Sequence, residues 1–406
     1  MNIVIIGSSA AGLSCLNTLC TISRQAKITV ISAERYSPYS RCLLPYYLGK
    51  SMTEQELTIS SPSDYPSDVQ FILGQKAEQI NVRRKTVCLS DGRELGYDKL
   101  LIAVGADAVK PKYYAEGRGA FTLRYLDDAK KIAAAAKGRA VVLGGGFVGI
   151  KTAYGLLERN IKTDMVITSR HPLAMVLDET SARYIEKDLV DLGIGITTRE
   201  DIYDISMHKK ALKVYRSSGI ALETDVVVIC KGVKPSVDLA KVSGITVSEG
   251  ISVNEYLETS VADIFAAGDC CETMDLARNK VRIIDLWPTA VEQGYFAALN
   301  ISGTRSRYPG SIEMNSLKTK AFHLISAGLL KGEPGLTVYE KYIPSRKQFR
   351  KIALRGDVPV GMAFYNCPKE AGFFVNLIKK AMPLTVNPKK VVNGDVSIND
   401  IIKPLS

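Results

Sequence analysis

The chain has 406 residues, of which 46% are hydrophobic and 23% are charged. These proportions are typical of a globular chain and exclude intrinsic disorder and collagen-like or low-complexity architecture. The length predicts two or three domains. No apolar run approaches the ~18 residues that would span a bilayer, and no basic leader precedes the first apolar run. We therefore expect a cytoplasmic protein.

The formal net charge of +11 at pH 7 is unevenly distributed along the chain. Residues 311–406 contain 12 Lys and 3 Arg against 4 Glu and 3 Asp, so +8 of the total belongs to the last quarter. Such an asymmetry is found where a surface meets an acidic partner, a membrane surface or nucleic acid. An ordinary solvated surface gives the same charge count, so both interpretations stay open. Nucleic acid is not expected, because basic residues do not alternate with aromatic ones on one evident face.

The eight cysteines do not form a metal-binding pattern, because the paired Cys-x-x-Cys spacing of zinc and iron–sulfur sites is missing. We expect no metal site in this chain. A disulfide scaffold is equally unexpected in so long a cytosolic chain.

The N-terminus carries the first strong motif. The β-branched run Asn2–Ile6 predicts a buried strand, which leads into a glycine-rich turn over residues 7–12 and a helix over residues 13–22. A second strand, Lys27–Ser32, ends close to Glu34. In such a unit the first glycine permits a tight turn and the last lets the helix lie close to the strand. The amides at the helix start would bind a pyrophosphate, and the carboxylate would bind ribose hydroxyls.

The same unit recurs 137 residues later. The strand Arg139–Leu143 is followed by a complete Gly-x-Gly-x-x-Gly over residues 144–149, a helix over 150–159 and a strand over 163–168. One glycine motif is weak evidence, but two copies in the same context predict two dinucleotides bound by one chain.

The last quarter has a different pattern. Residues 349–354 and 359–365 flank the turn Arg355-Gly356-Asp357 and predict a β-hairpin, which a helix over residues 369–382 follows. We expect an α+β module after the two nucleotide-binding units.

Three further segments carry a resemblance to a known family. They are Leu-Leu-Ile-Ala-Val-Gly-Ala at 100–106, Thr-Ser-Val-Ala-Asp-Ile-Phe-Ala-Ala-Gly-Asp at 259–269 and Trp-Pro-Thr-Ala-Val-Glu-Gln-Gly at 287–294. With the two glycine motifs they resemble the flavoprotein pyridine nucleotide–disulfide oxidoreductases along essentially the whole chain. The resemblance implies an α/β fold with two Rossmann-like three-layer domains and a C-terminal α+β interface domain. It places FAD on residues 1–111 and 238–310, NAD(P) on 112–237 and a dimer interface on 311–406.

The resemblance also implies a set of site residues. The aspartate of the 259–269 segment would bind the ribityl or pyrophosphate region of FAD, and Arg41 would contact the FAD phosphates. The expected cofactor-binding residues are Gly7, Ser9, Ala10, Ala11, Gly12, Glu34, Arg35, Arg41, Ala77, Val104, Gly105, Gly144, Gly146, Phe147, Val148, Gly149, Ser169, Arg170, Gly232, Gly268, Asp269, Trp287 and Ala290.

The segment Tyr-Ser-Arg-Cys-Leu-Leu-Pro at 39–45 resembles rubredoxin and ferredoxin reductases and nitrite reductase flavin domains. It implies an NAD(P)H:acceptor oxidoreductase that passes electrons to a ferredoxin- or rubredoxin-like protein or to a partner subunit. Cys42 also resembles the redox cysteine of NADH oxidases, peroxidases and coenzyme A-disulfide reductases, so a thiolate reaction stays open beside a packing role. A non-catalytic FAD-binding scaffold is the third hypothesis. Dithiol chemistry is excluded, because Tyr46 and Tyr47 stand where a second cysteine would lie.

Two departures from the family pattern bear on the nicotinamide. Lys151 stands where relatives carry glutamate, so it is either a catalytic cation beside the reacting rings or a solvent-facing helix residue. The second strand of the NAD(P) unit ends without a carboxylate, whereas Ser169 and Arg170 are suited to a 2′-phosphate. This favours NADPH over NADH.

Overall fold

The computed structural model describes residues 1–23, 25–114, 119–208, 211–331 and 333–396. Three five-stranded sheets form its framework, each covered by helices, and smaller sheets connect them. The predicted α/β class with a C-terminal α+β module is confirmed.

The N-terminal part of the chain alternates strands and helices. Its elements are β1 (Asn2–Ile6), α1 (Ala10–Ile22), β2 (Lys27–Ser32), α2 (Leu44–Leu48), α3 (Glu54–Leu57), β3 (Val69–Leu73), β4 (Ala77–Asn81), β5 (Thr86–Leu89), β6 (Glu94–Gly96), β7 (Lys99–Ile102) and β8 (Ala106–Ala108). Short 3₁₀ helices cover Arg41–Leu43 and Pro62–Asp64.

The middle part repeats this alternation. Its elements are β9 (Ala120–Thr122), α4 (Leu126–Ala135), β10 (Arg139–Leu143), α5 (Phe147–Glu158), β11 (Lys162–Ile167), α6 (Glu179–Asp191), β12 (Gly195–Thr198), β13 (Ile202–His208), β14 (Ala211–Arg216), β15 (Ala221–Thr224), β16 (Val226–Ile229) and β17 (Val233–Pro235).

The chain then returns to the N-terminal sheet before it forms the C-terminal sheet. The elements are α7 (Asp238–Val242), β18 (Ile251–Ser252), β19 (Ile264–Ala266), β20 (Cys271–Asp275), β21 (Lys280–Arg282), α8 (Trp287–Ile301), β22 (Met314–Lys318), β23 (His323–Gly328), β24 (Leu336–Ile343), β25 (Gln348–Arg355), β26 (Val358–Tyr365), α9 (Ala371–Lys379) and α10 (Pro388–Asn393).

The N-terminal and middle sheets are both parallel. The N-terminal sheet has the order β19-β7-β1-β2-β3 and the middle sheet the order β12-β11-β10-β16-β9. Their central strands are buried on both faces, which explains why β1 and β10 are continuous apolar runs. The glycine-rich turn follows the central strand in each, so both turns lie at the carboxyl edge of a sheet.

The predicted helices differ from the observed ones at their ends. α1 begins at Ala10 and α5 at Phe147, because the last residues of each glycine motif already form the first helical turn. The predicted β-hairpin is confirmed as β25–β26, whereas the helix predicted over 369–382 is shorter, since α9 covers Ala371–Lys379.

The C-terminal sheet is antiparallel, with the order β22-β23-β26-β25-β24. One face packs against α9, where the Phe364 and Phe374 rings meet edge to face at 5.4 Å. The other face packs against α6, where Tyr184 contacts Phe349 and Tyr365 and the last two rings stack at 5.1 Å. The sheet is therefore fixed to the middle unit by an aromatic core.

Within the described ranges, no helix combines the length and the apolar character that crossing a membrane requires.

Candidate cofactor and redox site

The two glycine-rich turns have the same backbone geometry. Gly7 and Gly144 have φ of +114° and +117°, and a Cβ on either would lie 2.2 Å from a carbonyl oxygen, of Ala103 and Cys230 respectively. Each turn therefore passes directly over the end of the neighbouring strand. Only glycine fits at this crossing, which explains why both motifs begin with glycine.

The helix that follows each turn begins with unengaged amides. Ser9 is the N-cap of α1 and Gly146 the N-cap of α5, and neither helix has a side-chain cap hydrogen bond. A Cβ at Gly12 or Gly149 would lie 1.8 Å or 2.1 Å from the carbonyl oxygen of its turn's first glycine. Both helices therefore lie tightly on their turns, and their N-termini are suited to a phosphate or pyrophosphate.

Glu34 is fixed at the end of β2 by two donors. The Tyr39 hydroxyl donates to Glu34 Oε2 at 2.5 Å, and Arg41 Nη2 donates to Oε1 at 2.7 Å. The Arg41 guanidinium also lies 4.7 Å from the centroid of the Tyr125 ring. The Leu126 amide donates to the Tyr39 hydroxyl at 2.9 Å, so this cluster joins α4 to the N-terminal sheet. Arg41 was expected at the FAD phosphates and Glu34 at a ribose. In the structure the two side chains form an ion pair with each other.

Asp269 forms an ion pair that the sequence did not predict. Arg124 Nη2 lies 2.9 Å from Asp269 Oδ2, and the side chains are 19% and 15% exposed. Arg124 Nε is buried and has no hydrogen-bond partner among the described residues. A Cβ on Gly105 would lie 3.4 Å from Arg124 Nη2, so this backbone makes room for the guanidinium. The orphaned donor and the carboxylate fit the polar groups of a bound flavin nucleotide.

Small residues bring α8 and the Asp269 loop to the N-terminus of α1. A Cβ on Gly268 would lie 3.3 Å from Ala11 Cβ and 3.7 Å from Ala290 Cβ. A Cβ on Gly294 would lie 2.2 Å from the Ala11 carbonyl oxygen. Trp287 opens α8 at this junction and packs against the N-terminal core. These contacts gather the predicted segments 7–12, 268–269 and 287–294 at one place.

Cys42 and Lys151 come from different units and lie within electrostatic reach of each other. Cys42 is exposed on the 3₁₀ helix Arg41–Leu43, yet the neighbouring protein groups partly desolvate its thiol and so raise the thiol pKa. Lys151 opposes that rise and Asp269 adds to it. Lys151 is half-buried on α5, and desolvation lowers the pKa of its ammonium. Lys151 is therefore partly shielded from solvent and close enough to Cys42 for their charges to interact.

Asp285 is a second carboxyl group near Asp269, and the sequence analysis did not predict it. It lies in the loop before α8, where burial and the charge of Asp269 raise its pKa. The available signal was its position, two residues before the Trp-Pro-Thr-Ala-Val-Glu-Gln-Gly segment at 287–294.

Cys270 and Cys271 are buried in positions that suit packing. The Cys270 thiol contacts the Ala267 carbonyl at 3.4 Å, and the Cys271 thiol contacts the Gly268 carbonyl at 3.4 Å. Burial raises the pKa of both thiols. Among the residues that the structure describes, no group of three or more His, Cys, Asp or Glu side chains could hold a metal ion.

The loop after β11 gathers two exposed arginines. The Arg199 amide donates to the Ser169 carbonyl at 3.0 Å, and the Ser169 hydroxyl donates to the His171 carbonyl at 2.9 Å. Arg170 and Arg199 are both exposed beside this serine, and neither forms an ion pair within the described residues. Arg199 has a left-handed backbone, with φ of +59°. Sequence reasoning found Arg170 but missed Arg199, which comes from a separate strand end.

Several other expected binding residues lie around these features. Ala10 and Val104 are at the N-terminal turn and the end of β7, and Phe147 and Val148 open α5. Gly232 follows β16 with φ of +91°.

Arg35 and Ala77, also expected to bind the cofactor, lie near Glu34 and the end of β2. Arg35 points outward, with a side chain that is 75% exposed, and reaches Asp127 at 3.7 Å. Ala77 is buried in β4, where it pairs with Leu89.

Comparisons with known proteins agree with this geometry. The chain is 30% identical over 370 residues to the NADH-rubredoxin oxidoreductase of Clostridium acetobutylicum, covering 88% of this chain and 92% of that protein. It is 25% identical over 401 residues to the assimilatory nitrate reductase electron transfer subunit of Bacillus subtilis, covering 97% of this chain. The chain spans only about half, 51%, of the length of that relative.

A solved structure matches the whole fold. The chain superimposes on the reductase in the covalent putidaredoxin reductase–putidaredoxin complex with a TM-score of 0.90 and 26% identity, covering 99% of this chain and 98% of that one. The family model described as pyridine nucleotide-disulphide oxidoreductase matches residues 1–294. The chain therefore belongs to the pyridine nucleotide-disulphide oxidoreductase family, whose oxidoreductases are flavoproteins that use FAD and NAD(H).

Proposed function

We propose that this protein is an NAD(P)H:acceptor oxidoreductase that delivers electrons from a nicotinamide nucleotide, by way of FAD, to a small acidic redox protein or to a partner subunit of a redox complex. The similarity to an NADH-rubredoxin oxidoreductase and to a nitrate reductase electron transfer subunit supports this acceptor class. When bound, FAD supplies the conversion between a two-electron donor and a one-electron acceptor.

The observation that carries the proposal is the meeting of the two nucleotide-binding units at one polar cluster. Arg124 of the middle unit pairs with Asp269, which follows β19 of the N-terminal sheet. Lys151 of α5 lies within electrostatic reach of Cys42. The two sites would thus face each other, as hydride transfer at ~3–3.5 Å requires. The domain boundaries at residues 111, 237 and 310 are part of this proposal.

The chain's own residues would bind, orient and shield the reacting groups. The N-termini of α1 and α5 would hold phosphates, and Glu34 would accept hydrogen bonds from ribose hydroxyls. Asp269 and Arg124 would fix the flavin chain, and Lys151 would place a positive charge beside the rings that exchange charge.

NADPH is the nucleotide that we propose, because Ser169, Arg170 and Arg199 converge at the end of β11. Two arginines offer the planar donors that suit a phosphate monoester. The strand end carries no carboxylate to bind a ribose 2′-hydroxyl.

A basic surface formed by α10 and the two ends of α9 is the docking site that we propose for the acidic acceptor. Lys369, Lys380, Lys389 and Lys390 are exposed and have no ion pair with another residue of the described ranges. Lys379, beside them, bridges to Glu292 of α8 at 3.1 Å, which ties this surface to the helix that begins at Trp287. Positive charge here would steer an acidic partner toward the flavin side of the molecule. We also propose a cytoplasmic location, and a homodimer or hetero-oligomer formed through the C-terminal unit.

Anaerobic mixing with NADH or NADPH tests the proposed reaction. Rapid bleaching of the flavin absorbance, faster with NADPH, supports it, and absence of bleaching with both nucleotides rejects it in favour of a non-catalytic scaffold. Reoxidation by an acidic ferredoxin is then compared with reoxidation by ferricyanide.

Charge reversal tests the docking surface. Replacing Lys380, Lys389 and Lys390 by Glu is expected to lower kcat/KM for the ferredoxin about tenfold at low salt, without changing ferricyanide reduction. The matched triple replacement of Lys131, Lys137 and Lys162, exposed lysines of the middle unit, is expected to change neither. Equal effects of the two triple variants would reject this surface.

A thiol reaction at Cys42 is the second candidate, favoured by the exposure of its sulfur and by Lys151 as a neighbouring cation. The raised pKa of the thiol opposes it, because the thiolate is the nucleophile. Cys42→Ser separates the two candidates. Unchanged turnover with the redox-protein acceptor supports the first, and loss of turnover with a peroxide or small disulfide supports the second.

A further inference from the structure

A cavity of ≈ 330 Å³ lies where the three units of the molecule meet. Tyr46 of α2 lines it from the N-terminal unit. Lys151, Tyr154 and Glu158 line it from one face of α5, and Lys318 and Lys320 line it from the C-terminal unit. Its size is that of a pocket for a small organic molecule.

The charges around this three-unit cavity do not balance. Three lysines face a single carboxylate, and Lys320 Nζ lies 3.4 Å from Glu158 Oε1. The Tyr154 hydroxyl, which accepts from the Lys320 amide at 3.2 Å, is turned to the same carboxylate. Glu158 is therefore already engaged. Lys151 and Lys318 have no carboxylate partner in the part of the chain that the structure describes.

Of these two unpaired lysines, Lys151 has the larger desolvation penalty, because it is half-buried whereas Lys318 is exposed. Its nearest aromatic contact is the Tyr46 ring, whose centroid lies 5.9 Å from Nζ, at the outer limit of a cation–π interaction. Desolvation lowers the pKa of this ammonium. A partly desolvated cation without a partner is unfavourable unless an anion joins it.

We propose that the three-unit cavity binds a small phosphate monoester. Lys151 and Lys318 would supply two positive charges, which match the charge of about −1.5 to −2 on a phosphate monoester at pH 7. Lysines on separate elements approach as point charges from different sides, which suits the rounded phosphate better than a planar carboxylate. The Tyr46 and Tyr154 rings would contact the organic part of the ligand.

This site is distinct from the nucleotide turns and independent of the proposed electron acceptor. Its walls include Tyr154 and Glu158, in the second half of α5, whereas the phosphate-binding turn precedes that helix at Gly146. Binding would also reach Cys42, because Lys151 is the first cation that lowers the pKa of that thiol. An anion that pairs with Lys151 would weaken this effect and leave less thiolate.

Calorimetric titration of the FAD-loaded protein with phenyl phosphate tests the proposal. We expect saturable binding of one molecule per chain, weakened about tenfold or more by Lys318→Met and by Lys151→Met. Lys341→Met removes an exposed lysine of the same C-terminal sheet and is expected to change the affinity less than about twofold. Lys318 is exposed, so its variant remains informative even if Lys151→Met does not fold.

Two further measurements test whether the cavity is separate from the nucleotide site and whether its occupant affects Cys42. NAD⁺ or NADP⁺, which do not reduce FAD, are expected at saturation to leave phenyl phosphate binding unchanged; competition would mean that the cavity belongs to the nucleotide and would overturn the proposal. Bound phenyl phosphate is also expected to slow alkylation of Cys42 by iodoacetamide, located by mass spectrometry. No saturable binding, or binding that Lys318→Met does not weaken, would equally overturn it.

Discussion

The guanidinium of Arg124 lies 2.9 Å from the carboxylate of Asp269, and this ion pair joins two separate sheets. Arg124 follows β9 of the middle sheet, and Asp269 follows β19 of the N-terminal sheet, 145 residues later. Both side chains are largely buried, so the pair is shielded from the screening that weakens surface ion pairs. The ion pair therefore helps to fix the position of the middle unit relative to the N-terminal unit.

Removing one member of this pair should cost stability. Arg124→Ala leaves Asp269 largely buried without its cation, and we expect the free energy of unfolding to fall by about 3 kcal/mol. Urea denaturation measures this loss. The control is Arg93→Ala, which removes an exposed pair with Asp91 and should cost no more than about 1 kcal/mol. Equal losses in the two variants would contradict the structural role of Arg124.

The crossing of α2 and α5 gives a second prediction. A Cβ on Gly155 of α5 would lie 2.3 Å from the Pro45 carbonyl oxygen, so Gly155→Ala must separate the two helices. We expect a loss of about 1–3 kcal/mol in unfolding free energy, because the contact is overpacked. Gly372 of α9 is the matched control, since a Cβ there would meet no described atom within 4 Å apart from its chain neighbours and the nearby backbone of its own helix. Gly372→Ala should stabilise the protein by up to about 1 kcal/mol, and a stabilising Gly155→Ala would refute the close crossing.

Local patterns predicted the two nucleotide-binding turns, because each depends on glycines that contact their own turn and the adjacent strand. Gly7, Gly12, Gly144 and Gly149 were all found in this way. Arg124 was not, because nothing in its own segment indicates a partner 145 residues away.

The positive charge of residues 311–406 can be counted from the sequence, but the role of each charged residue cannot be predicted from that count. Lys347 pairs with Asp188 at 2.9 Å, and Lys351 lies between Asp178 and Glu340. Part of the positive charge therefore fixes the C-terminal sheet to α6. A composition count cannot separate such internal pairs from an exposed docking surface, since both depend on which face of the sheet is covered.

The choice of nucleotide gives a third prediction. Arg170→Ala and Arg199→Asn are each expected to lower kcat/KM for NADPH about tenfold, and to change kcat/KM for NADH much less, because only NADPH carries the 2′-phosphate. Asparagine is chosen at residue 199 because it tolerates the left-handed backbone there. Arg183→Ala, which removes an exposed arginine of α6 paired with Glu179, is the control. Equal losses with both nucleotides would assign the two arginines a structural role.

Acid should loosen the contact between the middle and C-terminal units, and this gives the last prediction. Asp178 caps α6 and pairs with Lys351, and although partial burial opposes the shift, the lysine and the Ser181 hydrogen bonds lower its pKa to about 2. A carboxyl group with a depressed folded-state pKa stabilises the fold above its unfolded pKa of about 3.9, and that contribution is lost as the pH falls toward 2. Asp178→Asn keeps an N-cap side chain and removes the charge. Its destabilisation in urea titrations should therefore be largest at pH 7 and shrink between about pH 4 and pH 2; a difference that is constant across this range would show that the charge of Asp178 does not stabilise the contact.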